Sequence, residues 1–393
     1  MPARAGHGST VTCSAHASLK EGKPRVSHLR EHEEALGRRL GLNRRQLFAA
    51  TTGVAAAAAV SLAQPARAAT RQPLIPPGRR GIILYTVRDA ISRDPASTTL
   101  PSGFRRVLET LADIGYKRVE FAGYRQHAGS EGGANLESVA GARLLRTWLD
   151  DNGLEAEGNH GFIPGSWPLS TADLDRFKQV LEIANILGLG HVGTGADPTN
   201  SPYKSDWDVA AEKWNELGRI AGEAGVKLYT HNHDAAYAFL LDSGPLDAQG
   251  RPTRSSGVRK LEYFFGISDP RFVHFEMDIF WAHVAQYKHR TFTAPDGSTQ
   301  TNIFDPLATV RARELRFPLF HAKDGTSNPA VPNGYDMVPF GTGDIDYRRF
   351  FARLRHMGFH NPMYEQDNAP GADPAQSLRY AELSYANMAE LRA

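Results

Sequence analysis

The sequence predicts an α/β fold, a (β/α)8 barrel of the TIM type over residues 71–393, on three observations. Apolar strand-like runs alternate with amphipathic segments, and the strand-like runs number eight. The last four runs each end in a polar cluster rich in His, Asp and Glu. No Gly-rich phosphate loop follows the first run, as an open doubly wound nucleotide-binding sheet would require. Strict alternation implies parallel strands with right-handed crossovers, and eight units match closure into a barrel.

The strand runs fall at 81–87, 118–122, 155–160, 191–195, 227–233, 272–279, 318–323 and 362–366. Helix-like segments occupy 103–114, 141–152, 172–187, 207–224, 306–315 and 347–357, and a last one at 375–391 follows strand eight. Gly115, Gly153, Gly188, Gly225 and Gly358 stand between helix and strand, where a left-handed residue ends a helix without a Cβ penalty. Two loops, 240–258 and 283–304, exceed the usual length and are rich in Gly, Pro, Ser and Thr. Both follow strands that carry polar clusters, so both are expected to overhang the mouth.

Residues 1–70 read differently. Asn43-Arg44-Arg45-Gln46-Leu47-Phe48 precedes a short Ala-rich stretch, and Ala66-Arg67-Ala68 supplies small residues for cleavage. This is the pattern of a twin-arginine export signal, read by the twin-arginine machinery, with the mature chain exported. The apolar stretch is shorter than the roughly 20 residues a membrane span needs, so no stable span is expected after cleavage. Residues 1–69 hold ten of the 45 Lys+Arg and four of the 43 Asp+Glu, so their removal leaves a net charge of −4. A mildly acidic body argues against a nucleic-acid groove. Cys13, the only cysteine, lies in the leader, so the mature chain has neither thiol nucleophile nor thiolate ligand.

The four clusters are Tyr229-Thr230-His231-Asn232-His233-Asp234, Phe275-Glu276-Met277-Asp278, His321-Ala322-Lys323-Asp324 and Tyr364-Glu365-Gln366-Asp367. Function gathers at the C-terminal mouth of such a barrel, and carboxylates and imidazoles on rigid elements suit a divalent cation. Asp278, His321 and Glu365 each end a different strand. In strand five the odd positions share a face, so His231 and His233 both point to the mouth. One binds metal; the other touches substrate or is fixed through Asp234. Glu276 shares a face with Asp278 one layer deeper, which reads as a supporting role. His160 is placed to touch substrate or to serve structure, and Glu120 to contact substrate. Trp281 is placed to stack on a substrate face or to pack the wall. Lys323 shares the face of His321 and either neutralises an oxyanion or pairs with Glu365 or Asp324. Arg88 and Asp89 read as a local ion pair.

With Leu84-Tyr85-Thr86-Val87-Arg88-Asp89, Val119-Glu120-Phe121-Ala122-Gly123 and Gly341-Thr342-Gly343-Asp344-Ile345-Asp346, these clusters resemble the xylose isomerase-like TIM-barrel superfamily, in its sugar phosphate isomerase/epimerase branch, from about Gly81 to Leu391. The resemblance implies one divalent ion (Mn, Co, Zn or Mg) held by Asp278, His321 and Glu365. In relatives the first ligand is often Glu in a Glu-Asn-His run; here His231 takes that place. It further implies a small carbohydrate or keto-sugar substrate and proton transfer through an enediolate, with Glu365 as one catalytic group; since a metal-bound imidazole cannot also act as base, the second role falls to His233, His160 or Glu120. With one carboxylate flank changed to imidazole, a one-base β-elimination, as in related lyases and dehydratases, also fits. So does a carbohydrate-binding barrel without turnover. Export disfavours a phosphorylated substrate. A three-metal nuclease is disfavoured by the acidic body and the short ligand list.

Overall fold

The computed structural model describes residues 72–393. The leader with Arg44 and Arg45 lies outside the described residues. Eight strands form one parallel sheet: β1 (Gly81–Ile83), β2 (Arg118–Phe121), β3 (Glu155–Asn159), β4 (His191–Thr194), β5 (Lys227–His231), β6 (Val273–Asp278), β7 (Leu319–Ala322) and β8 (Asn361–Tyr364). The sheet order is β3-β2-β1-β8-β7-β6-β5-β4. A parallel bridge between His160 and Gly193, just past β3, brings the two end strands together and nearly closes the barrel.

Nine longer helices among the described residues follow: α1 (Gly103–Ile114), α2 (Val139–Asp151), α3 (Thr171–Leu187), α4 (Lys204–Glu223), α5 (Lys260–Ile267), α6 (Ile279–Lys288), α7 (Pro306–Ala312), α8 (Tyr347–Ala352) and α9 (Gln376–Glu390). α1 shows why these segments are helical: Phe104, Val107, Leu108 and Leu111 recur at helical spacing and are buried against the sheet, while Arg105, Arg106 and Glu109 stay outside. Gly188 ends α3 at φ 74°, and Gly115, Gly153 and Gly225 also take positive φ. Gly358 does not, because α8 stops six residues before it.

The expected strands were each too long at the C-terminal end. Residues 84–87 form a 3-10 turn, not strand, and β5 ends at His231. Helices α5 and α6 were not expected. α6 begins directly where β6 ends, with Asp278 as its N-cap. The two long loops are hairpins, Ser243–Leu246 with Pro252–Arg254 and Thr291–Thr293 with Thr299–Thr301, and a third pairs Asp324–Ser327 with Tyr335–Val338. The first two lean on each other: Ser255 N–H donates to Thr293 O at 3.0 Å, and the Phe239 and Phe292 rings lie 4.6 Å apart.

The main core lies between sheet and helices, with Phe264, Phe265, Phe275, Phe317 and Phe320 among its members. Inside the barrel a small cluster of Tyr229, Leu319 and Met363 fills the middle. A Cβ on Gly81 would sit 2.2 Å from Met363 Sδ, so a glycine there lets Met363 occupy the axis. No helix among the described residues is long and apolar enough to cross a membrane.

Candidate active site

Four strand ends meet at the mouth. Asp278 closes β6 and lies opposite His321 of β7 in register, while His231 closes β5 opposite Glu276. Glu365 follows β8 directly. One ligand atom from each of His231, Asp278, His321 and Glu365 lies within 4.8 Å of all the others. His231 Nε2 faces His321 Nδ1 at 2.9 Å, His321 Nδ1 faces Glu365 Oε2 at 2.7 Å, and Asp278 Oδ2 is 3.6 Å from His231 Nε2.

Lys323 adds a fixed charge. Its Nζ lies 2.8 Å from Asp278 Oδ2, 2.7 Å from Glu365 Oε2 and 3.0 Å from Asp367 Oδ1, and the residue is 1% exposed. The ammonium thus forms close ion pairs with both Asp278 and Glu365. Sequence reading left Lys323 a choice of partners; Glu365 is one of them, and Asp324 is not. Asp324 turns away and accepts from the backbone N–H groups of Gly341 at 2.8 Å and Gly343 at 3.1 Å. A side chain at Gly343 would meet Asp324 Oδ1 at 2.3 Å, which accounts for that glycine.

The charges follow from these contacts. Burial opposes ionisation of Asp278, yet Lys323 and the two imidazoles hold its carboxyl well below the usual range. Glu365 is likewise held low against burial by His321 and Lys323. Burial and the neighbouring His321 push His231 down to about 3, so it is neutral and its Nε2 can offer a lone pair. Against burial, Glu276 and Glu365 raise His321 well above the ordinary value.

A layer deeper, His160 Nε2 is 2.8 Å from Glu276 Oε2, and His321 Nε2 is 3.2 Å from both Glu120 Oε2 and Glu276 Oε2. Tyr229 donates its hydroxyl to Glu120 Oε1. Burial, then Glu276, raises Glu120 to about 7. Glu120 and His160 thus meet one another, Glu276 and the Nε2 side of the His321 ring, and His160 keeps 14% of its side chain exposed. Glu276, read as supporting, belongs to this layer.

The other expected residues are placed as follows. His233 lies beyond the end of β5, exposed at the mouth, with its ring 5.1 Å from His231 and 5.3 Å from Trp281. The Trp281 ring stands 5.5 Å from Lys323 Nζ. Asp234 does not hold either histidine of strand five; it pairs with Lys288 at 2.8 Å and His289 at 3.0 Å, both from the end of α6. Arg88 does not pair with Asp89. It donates to Asp367 O at 2.7 Å and stacks over Tyr85 at 4.1 Å, while Asp89 accepts from Arg93 at 3.2 Å. Two residues at the site went without an assigned part. Asp367 accepts from Lys323, and Asn232 Oδ1 accepts from Asp278 N–H at 3.2 Å, extending the β5–β6 ladder by a side chain. The alternation that named His231 also spans Asn232, but nothing in a single sequence marks a side chain that substitutes for backbone.

The sequence matches the xylose isomerase-like TIM barrel family over residues 108–382. The chain belongs to that family. Among solved structures, this xylose isomerase-like barrel is similar to a sugar phosphate isomerase/epimerase from Parabacteroides distasonis, with 19% identity and a TM-score of 0.57 over 88% of this chain and 99% of that one. A second Parabacteroides distasonis sugar phosphate isomerase/epimerase shares 16% identity at a TM-score of 0.54, covering 78% and 96%. The probable 3-DHS dehydratase AsbF of Bacillus anthracis shares 12% identity at a TM-score of 0.52, covering 78% and 97%. At these identities the likeness is one of fold. No curated protein matches the sequence.

Proposed function

We propose that this chain is a divalent-metal-dependent sugar isomerase or epimerase that moves a proton beside the carbonyl of a small keto-sugar. The carrying observation is the convergence of His231, Asp278, His321 and Glu365 at the mouth. The donor set fits a cation. His231 Nε2 and His321 Nδ1 face each other beside the buried Oδ2 of Asp278 and Oε2 of Glu365. Two imidazoles and two carboxylates suit Zn, Co or Mn better than Mg. When bound, the ion supplies Lewis-acid polarisation of the substrate carbonyl.

The chain's own groups do the rest. Glu365 is kept ionised by its neighbours, so it can take a proton from the carbon next to the carbonyl. The electron pair moves onto the carbonyl oxygen, giving an enediolate, and the Lys323 ammonium sets a fixed positive charge beside it. We assign the returning proton to His233, exposed at the mouth beside Trp281, whose ring also neighbours the Lys323 ammonium.

One observation favours a second reading, β-elimination. His231 stands where the resemblance expects a carboxylate, leaving Glu365 as the base directly at the centre. One base on one face suffices to remove the proton while a β-substituent departs. The pattern around Arg44 and Arg45 supports export, and with it an unphosphorylated substrate.

The test is bound metal by elemental analysis in Asp278→Ala and His321→Ala, with solvent-deuterium uptake into keto-sugars. Lower metal content and lost exchange are expected; full metal content in both variants would sink the reading. Product analysis by NMR separates an epimer or ketose from an unsaturated product.

A further inference from the structure

The layer beneath the mouth holds donors that the chemistry above does not use. Glu120, His160, Glu276 and His321 each place one ligand atom within 4.8 Å of the other three, and all but His160 are fully buried. The separations are 2.8 Å from His160 Nε2 to Glu276 Oε2, 3.4 Å from His160 Nε2 to Glu120 Oε1, and 3.2 Å from His321 Nε2 to each carboxylate. Bonds of 2.0–2.2 Å in a tetrahedral shell set ligand–ligand edges at about 3.4 Å, so these side chains stand near the spacing of a coordination shell. Glu276 Oε1 is buried without a partner. Among the described residues no Lys or Arg contacts either carboxylate, whereas the mouth has Lys323. The surroundings leave room for this group: a Cβ on Gly158 would come 3.2 Å from Glu120 Oε1, and one on Gly195 2.8 Å from His160 Nδ1.

We propose that this lower set is a second divalent-cation site, of the zinc and cobalt class, and that the His321 ring is shared between the two ions. Its Nδ1 serves the mouth and its Nε2 the lower site. Loading both sites requires the ring to release its N–H protons to solvent, leaving an imidazolate. Among these ligands and Lys323 charge then balances, two dications against Glu120, Glu276, Asp278, Glu365 and the imidazolate; Asp367, which also pairs with Lys323, stands outside this count. With the mouth alone loaded, one negative charge is left over, and a proton in the lower layer must cover it. The inference rests on the mouth reading only for the upper ion.

The experiment is the Zn²⁺ content of the full chain after saturation and gel filtration, by elemental analysis. Wild type should hold two ions per chain, His160→Gln one, and Asp278→Asn one. His160 is the most open member of the lower set, with a side chain 14% exposed, so His160→Gln is the variant best placed to fold, and a thermal melt checks this. The wild-type count alone decides if the variant fails to fold. Two ions uphold the proposal; a single ion in saturated wild type that folded His160→Gln keeps overturns it, and Glu120 and Glu276 then only hold the proton of His321. Two ions retained in folded His160→Gln overturn it as well. If Asp278→Asn keeps the wild-type count while His160→Gln loses one ion, the mouth reading fails and the lower site stands.

Discussion

Lys323→Met removes the one fixed cation, among the described residues, that contacts Asp278, Glu365 and Asp367 together. Asp278 and Glu365 are buried and held ionised in part by this ammonium. Breaking a buried pair by deleting one partner costs about 3–5 kcal/mol. For a body of about 320 residues, unfolding entropy near 2.1 cal/mol/K per residue converts that cost to a fall in Tm of about 4–7 °C. A divalent ion at the mouth replaces the missing charge, so saturating Zn²⁺ should recover at least half of the loss. The ammonium also repels an incoming cation. A unit charge at about 4 Å in a protein-like dielectric is worth about 4 kcal/mol, so its removal should tighten metal binding by more than tenfold. Differential scanning fluorimetry of both proteins in chelator and in a Zn²⁺ series measures both effects. An equal fall in Tm with and without metal would refute the reasoning, because Lys323 would then be packing the mouth, not neutralising ligand carboxylates.

Other outcomes are expected. Glu365→Gln, assayed at saturating metal, should lose about 10²–10⁴-fold in proton abstraction, read as deuterium uptake; wild-type exchange would place the base elsewhere, with His233 or His160 the next to test. At the barrel floor, burial lowers His191 to about 3 and His274 to about 4. Both folded pKa values lie below the unfolded one, so their stabilisation is complete above about pH 6.5 and is lost as pH falls toward 4, with a slope of up to about 2.7 kcal/mol per pH unit. The double variant His191→Gln/His274→Gln should flatten the acid limb of a stability–pH curve; an unchanged limb would assign acid lability to other groups. Arg44→Lys with Arg45→Lys should abolish export, followed in the culture supernatant or periplasm, and unchanged export would mean a different signal.

Most strand positions were legible because a short apolar stretch recurs between the helices, as in Gly81–Ile83, Val273–Asp278 and Leu319–Ala322. That same apolarity blurred the boundaries. Leu84 and Val87 are as buried in their 3-10 turn as Ile82 is in β1, so no change in hydropathy marks the exit from the sheet. α5 and α6 escaped notice for a related reason. Leu261, Phe264 and Phe265, and Ile279, Phe280, Ala282, Val284 and Ala285, bury most of their surface and leave little helical contrast to read. The mouth residues Asp278, His321 and Glu365 could be named because each sits near the end of its own strand. His231 and His233 could not be separated, since alternation holds only while the strand lasts, and β5 stops at His231. The depth of Glu120 and His160 depended on the stagger between neighbouring strands, which pairs Glu120 with Gly158 across a register shift. Stagger is a property of the closed sheet that local sequence does not carry.

The two oxygens of Asp278 have separate employers. Oδ1 accepts from Trp281 N–H at 2.9 Å and starts α6, while Oδ2 looks into the mouth. A carboxylate tethered in this way cannot swing to suit whatever arrives, so its rotational freedom is surrendered during folding and not during binding. The coupling also runs outward. Any demand placed on Oδ2 is felt at the first turn of the helix that bears Trp281, and so at the wall of the cleft. If a cation loads Oδ2, amide exchange at Trp281 should slow as the carboxylate stiffens, a readout carried by the helix backbone.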